Sequence, residues 1–214
     1  MSTTRGYKAI IFDLGNVLID FDHTIAAKRI SQFSDKSSQQ IYNLFFDSPL
    51  TSLFEEGKIP PEDFFIKVKE KLNLKLDYEK FLPIWNEIFF ISSKNQAVYS
   101  LAKSLKDKYT LAVLSNINVL HFNYLKEQFP VFDIFYRVIP SFEVGFIKPH
   151  PLIYKKALEK IGAQAKETVY TDDRLELVEK AQDLGIKSFH FQNPDKLKND
   201  FLSIGINFDK EYAI

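Results

Sequence analysis

The chain has 214 residues, of which 45% are apolar, 15% aromatic and 26% charged, a length and mix that suit one domain or a core with an insertion. Lys plus Arg and Asp plus Glu number 28 each, so the basic excess that nucleic-acid binding calls for is missing. Zero cysteines exclude disulfides, thiol catalysis and Cys-based zinc sites, and no run approaches the ~18 apolar residues of a membrane helix.

In chain order, the opening MSTTRGYKAIIFD reaches charge after a short apolar run and lacks the pattern of a secretory leader. The expectation is a cytoplasmic protein. Residues 8–14 (KAIIFDL) read as a first strand, of the kind parallel sheets bury on both faces. No compact return follows. Residues 22–92 instead carry helical patterns at about 24–33, 37–47, 61–74 and 78–90, and Trp85, Phe89, Phe90 and Ile91 are spaced as helix core. Beyond them, Val98, Leu101, Ala102 and Leu105 form one apolar stripe of a helix over 95–108. Strands follow at Thr110–Ser115, more weakly at Arg137–Pro140, then at 168–171 and 187–191. Between them lie a helix opened by Pro151 and closed by Gly162 and another over 175–184 before Gly185. Strand–helix alternation over 95–191 predicts an α/β fold with a doubly wound parallel sheet. Residues 1–21 and 93–214 then form the core, and 22–92 a small helical cap inserted after the first strand.

Ligands of open α/β sheets bind beyond the carboxyl ends of the strands. Those ends carry Asp13, Gly15 and Asn16, then Ser115 and Asn116, then Lys148, then Asp172 and Asp173. Singly, each has a plain explanation: turn formation for Asp13, helix capping for Ser115, Asn116 or the acidic pair, a solvated charge for Lys148. Converging on one rim, they suit phosphoryl transfer. A carboxylate can attack phosphorus and form an acyl phosphate, facing acidic groups can hold Mg²⁺, and a lysine with a hydroxyl can neutralise the phosphoryl oxygens. No glycine-rich nucleotide loop is present.

Four segments, FDLGNVLID, LSN, GFIKPHPLIY and TDDRLELVEKAQDLG, resemble in order the four motifs of the haloacid dehalogenase-like (HAD) hydrolase superfamily, across nearly the whole chain. FDLGNVLID with LSNINVLH resembles the branch that contains the bacterial α-D-glucose-1-phosphate phosphatase. The resemblance implies a Rossmann-like core with a helical cap and a Mg²⁺-dependent phosphomonoester hydrolase. Asp13 would be the nucleophile. Asp13, the Gly15 carbonyl and Asp173 would hold Mg²⁺, with Asp172 as a second acidic ligand or orienter. Ser115, Asn116 and Lys148 would bind the phosphoryl group. The expected partner is a small phosphate ester, a sugar phosphate by the branch resemblance, with no nucleic acid or membrane involved.

One departure stands out. Family phosphatases carry a second aspartate two residues after the nucleophile, as acid and base, and Gly15 occupies that place. Loss of such a group removes ~10²–10⁴-fold of rate. An anomeric phosphate, whose leaving group needs little protonation, would tolerate the loss; otherwise Asp20, Asp22, His23 or Glu55 are candidate substitutes. Leu177 replaces a residue commonly polar in that branch. His23 reads equally as substrate contact or linker, His121 and His150 as helix-start or loop residues, His190 as structural. The turn from Glu55 to Pro61, with Lys58, reads as a solvated turn that could face the site if the insertion closes. Competing readings are a 2-haloacid dehalogenase, a phosphonate hydrolase using a cap lysine such as Lys28 or Lys67, and a non-catalytic phosphometabolite-binding protein.

Overall fold

Five short apolar strands set the frame: β1 (Ala9–Phe12), β4 (Thr110–Ser115), β5 (Arg137–Pro140), β6 (Thr168–Asp172) and β7 (Lys187–His190). The gap in numbering is filled by β2 (Asp20–Phe21) and β3 (Phe89–Phe90), which form a separate antiparallel ribbon. The computed structural model describes residues 6–46 and 48–208.

The sheet runs β5-β4-β1-β6-β7 with every pairing parallel. Side chains alternate between its faces as the pleat requires. Ile10, Phe12, Leu111, Val113 and Val169 enter one apolar layer, while Ala9, Ile11, Ala112, Leu114 and Tyr170 enter the other. Helices α6 (Ser93–Leu105), α7 (Val119–Gln128), α8 (Ser141–Val144), α9 (Pro151–Ile161), α10 (Leu175–Asp183) and α11 (Pro194–Ser203) accompany the strands. Because the chain goes outward from β1 to β5 and then crosses to β6 on the other flank, the order reverses at β1. That reversal opens the crevice in which such sheets bind ligands.

Before β3 come α1 (His23–Ile30), α2 (Ser38–Phe46), α3 (Pro49–Glu55), α4 (Pro61–Leu72) and α5 (Tyr78–Asn86). They share their own apolar cluster, centred on the fully buried Phe45, Phe64, Phe81 and Trp85. Burial of each such ring contributes about 1.5–3 kcal/mol. The β2–β3 ribbon lies where the chain enters and leaves these helices. Asp20 holds it in place, accepting hydrogen bonds from Ser92 Oγ (2.7 Å) and Asn95 Nδ2 (3.2 Å) and pairing with Lys94 (2.6 Å).

Several expectations shift. The helix expected over 78–90 stops at Asn86, and Phe89 and Phe90 are strand residues, with Phe90 and Ile91 exposed rather than core. The helix expected over 37–47 spans Ser38–Phe46, and Asp47 lies outside the described residues. Helices α3, α7, α8 and α11 are additions to the sequence reading. Among the described residues no helix is long and apolar enough to cross a membrane.

Candidate active site

Asp13 follows β1 directly, and its amide donates to the Thr171 carbonyl of β6 (2.9 Å), which aims the carboxylate over the sheet's edge. Lys148 arrives from the loop between α8 and α9. Its backbone is fixed by a reciprocal pair with Asn116: the Lys148 amide donates to Asn116 Oδ1 (2.7 Å) and Asn116 Nδ2 donates to the Lys148 carbonyl (3.0 Å). Its ammonium, almost fully buried, sits 2.6 Å from Asp13 Oδ1 and 2.7 Å from Asp172 Oδ2. Tyr170 also donates its hydroxyl to Asp172. Burial alone would lower the Lys148 pKa, but the carboxylates of Asp13 and Asp172 outweigh it and hold the ammonium charged.

Asp172, fully buried, accepts from the Arg174 amide through its other oxygen (2.9 Å). Asp173 points to the opposite side of the β1 turn, where Asn16 Nδ2 donates to it (2.9 Å). Asn16 reaches it from a left-handed backbone, φ 57°, a conformation asparagine tolerates better than most residues. One oxygen from each of Asp13, Asp172 and Asp173 lies within 4.8 Å of the others. Burial and then the Asp172 charge push Asp13 up to about 7 against the pull of Lys148, and burial raises Asp173 as well. Both shifts mark carboxyl groups that resist ionisation where one ammonium faces three acidic side chains.

Asp13, Ser115, Asn116, Lys148 and Asp173 line one cavity of about 740 Å³. Asp172 lies beneath it, sealed from the space by Lys148 and Tyr170. Among the described residues Ser115 Oγ has only a long contact to the Asn116 carbonyl (3.4 Å), and Ser115 lines the cavity. The far wall is aromatic: Phe21, Tyr42, Phe45, Phe46 and Phe89, with His23 and His121.

The histidines sort clearly. His150 caps α9 and His190 Nε2 donates to the Asp173 carbonyl, 2.9 Å away. His121 stacks on Trp85 (4.7 Å) between the Trp85 carbonyl and Asn118, and burial pushes it down to about 3. Among the described residues His23 Nδ1, which is buried, has no partner, and burial pushes His23 to about 4. Both line the cavity as neutral rings. Neither Lys28 nor Lys67 does; both are exposed.

Residues 10–191 match the family described as haloacid dehalogenase-like hydrolase. The chain belongs to that family. A sesquiterpene phosphatase, astK, of Aspergillus oryzae is 29% identical over 89% of this chain and 91% of its own length. A D-ribitol-5-phosphate phosphatase of Bacteroides thetaiotaomicron is 22% identical over 87% of this chain and 92% of its own. A crystal structure of a HAD family enzyme, bt-2542, from Bacteroides thetaiotaomicron, in complex with magnesium and inorganic phosphate, superposes with a TM-score of 0.76. It is 28% identical and covers 87% of this chain and 95% of that one.

Several members of the hydrolase's cavity escaped the sequence reading, Arg174, His121 and the aromatic wall among them. Arg174, directly after the acidic pair, lines it and pairs with Glu176; its place beside Asp173 was the available signal. His121 was read as a helix-start residue, which it is, but its burial against Trp85 also makes it part of the cavity wall.

Proposed function

We propose that this hydrolase cleaves phosphomonoesters with Mg²⁺, through a phosphoryl-aspartate on Asp13, and that residues 22–92 act as a cap over the core site. The observation that carries the reading is the convergence of Asp13, Lys148 and the acidic pair at the base of one cavity. The donor set fits the ion. Three carboxylates and the nearby Gly15 carbonyl are hard oxygen ligands, and Lys148, which touches two of the acidic groups, brings one positive charge against three of them. Asp13 and Asp173, with the Gly15 carbonyl, would hold the ion, and Asp172 would orient Lys148 beneath them. When bound, Mg²⁺ neutralises phosphoryl oxygens and draws the anionic ester to an acidic rim.

The chain's residues supply the rest. Asp13 attacks phosphorus, the bond to the leaving oxygen breaks, and water later cleaves the acyl phosphate and releases inorganic phosphate. Lys148, the Ser115 hydroxyl and the Asn116 backbone amide hold the transferring group where negative charge gathers. The aromatic far wall gives the alcohol part of an ester an apolar surface to pack against, which favours an apolar alcohol over a sugar phosphate. The sesquiterpene phosphatase among the relatives agrees with that preference.

The test is p-nitrophenyl phosphate hydrolysis with Mg²⁺, with EDTA and with Asp13→Asn, followed by prenyl and sugar phosphates. Turnover lost with EDTA and with Asp13→Asn, and greater on the prenyl esters, is expected. A folded, inert wild type that dehalogenates a 2-haloacid would replace this reading.

A further inference from the structure

The acid–base group that Gly15 lacks is not recovered at position 15. A Cβ built there would lie 2.6 Å from Cε1 of Phe21, so the Phe21 ring fills the place a side chain would take. Of the acidic and imidazole groups near the cap junction, Asp20 is bound by Ser92, Asn95 and Lys94 at the ribbon. Asp22 caps α1 by accepting from the Thr24 amide (2.8 Å). His23 faces the cavity but is neutral, with no proton to give as an imidazolium near pH 7.

Glu55 remains. It ends α3 and lines the same cavity as Asp13 and Lys148. Its carboxyl makes no hydrogen bond or ion pair with any described residue. Its backbone, by contrast, is firmly placed. Ser141 Oγ, fully buried at the start of α8, donates to the Glu55 carbonyl (2.6 Å) and accepts from the Ile117 amide (3.0 Å). Two residues on, Gly57 adopts φ +67°, and a Cβ there would lie 2.3 Å from the Phe142 carbonyl oxygen. The turn is thus seated on the core, with one uncommitted carboxyl facing the reaction space.

We propose that Glu55 is the acid–base residue of this hydrolase, delivered from the cap side in place of the missing aspartate. This rests on the phosphomonoesterase reading above. As Asp13 attacks and the phosphorus–oxygen bond breaks, the Glu55 carboxyl gives its proton to the leaving oxygen, releasing a neutral alcohol. The resulting carboxylate takes a proton from water as that water attacks the phosphoryl-aspartate, which restores the Glu55 acid and the Asp13 carboxylate and frees phosphate. Burial pushes Glu55 up to about 7, against Arg174 and Lys148, so a proton is available near neutrality.

The test compares kcat/KM of wild type and Glu55→Gln, with Mg²⁺, on p-nitrophenyl phosphate and on an alkyl phosphate. The nitrophenolate leaves without help and the alkoxide does not. The expected loss in Glu55→Gln is ~10²–10⁴-fold on the alkyl ester and far smaller on the aryl ester. A stoichiometric nitrophenolate burst should also appear as the second step slows. Equal losses on both esters, or none, overturn the proposal in favour of a binding role or no role. A wild type inert on both overturns the phosphomonoesterase reading itself. Should Glu55→Gln not fold, the wild type across a series of aryl and alkyl phosphates decides. Shallow dependence on leaving-group pKa is expected, and a steep one overturns the proposal.

Discussion

At the scale of single residues, burial determines which polar groups keep their charge. His23 and His121 are neutral because the aromatic wall around them excludes water, with ring centroids of His23 to Phe21 at 5.2 Å and of His121 to Trp85 at 4.7 Å. Only the neighbouring Asp22 favours the His23 imidazolium, and desolvation overrides it. The sign of the consequence follows from linkage. A histidine with a folded pKa of about 4 and an ordinary unfolded one near 6.5 binds its proton preferentially when unfolded, so stability falls as pH drops from ~6.5 toward 4. Replacing His23 with Gln removes that proton. The stability of wild type relative to His23→Gln should therefore decline by roughly 1 kcal/mol per pH unit across that window, read by urea denaturation at a series of pH values. A difference that stays flat would mean that the ring is hydrated and free to protonate.

At the scale of elements, the decisive piece is the turn after α3, whose backbone meets α8. Gly57 is there for space and for its backbone angle together: φ +67° strains any other residue, and a methyl group would collide with the Phe142 carbonyl at 2.3 Å. Gly57→Ala should cost about 1–3 kcal/mol and pull Glu55 out of the cavity. Thermal melts would read the first effect, and a fall in kcat/KM larger on alkyl than on aryl phosphates the second. The sequence reading called this turn solvated, because nothing local to it reports α8, some 85 residues away. The same reason explains the ribbon. Phe89–Phe90 pairs with Asp20–Phe21 across the whole helical segment, and a pattern that is apolar at the right spacing reads as helix until its partner is known. By contrast, Thr110–Ser115 matches its strand residue for residue, since central parallel strands are uninterrupted apolar runs that end where polar residues begin, and the shorter edge strand Arg137–Pro140 matches as well. That rule also located Asp13, Ser115, Lys148 and the acidic pair. It could not find Arg174 or the aromatic wall, which depend on how two separate apolar clusters face one another.

Across the whole molecule, equal totals of acidic and basic residues conceal a local excess of negative charge at the sheet's switch point. Three carboxylates within 4.8 Å share one ammonium, and their mutual repulsion opposes folding wherever no cation compensates it. An ion that binds the folded site and not the unfolded chain stabilises by mass action, by about 2.7 kcal/mol at a hundredfold excess over its Kd. For a chain of this length that corresponds to a rise of roughly 5–10 °C in Tm. Mg²⁺ should produce that rise in the wild type, EDTA should remove it, and Asp173→Asn should abolish most of it. Sodium at matched ionic strength should not substitute, because screening acts weakly on groups this buried. Identical melts with Mg²⁺ and EDTA would show that Lys148 alone balances the cluster, and the reaction would then have to proceed without the metal. Because the melt needs no substrate, it tests the ion's place in the fold independently of turnover.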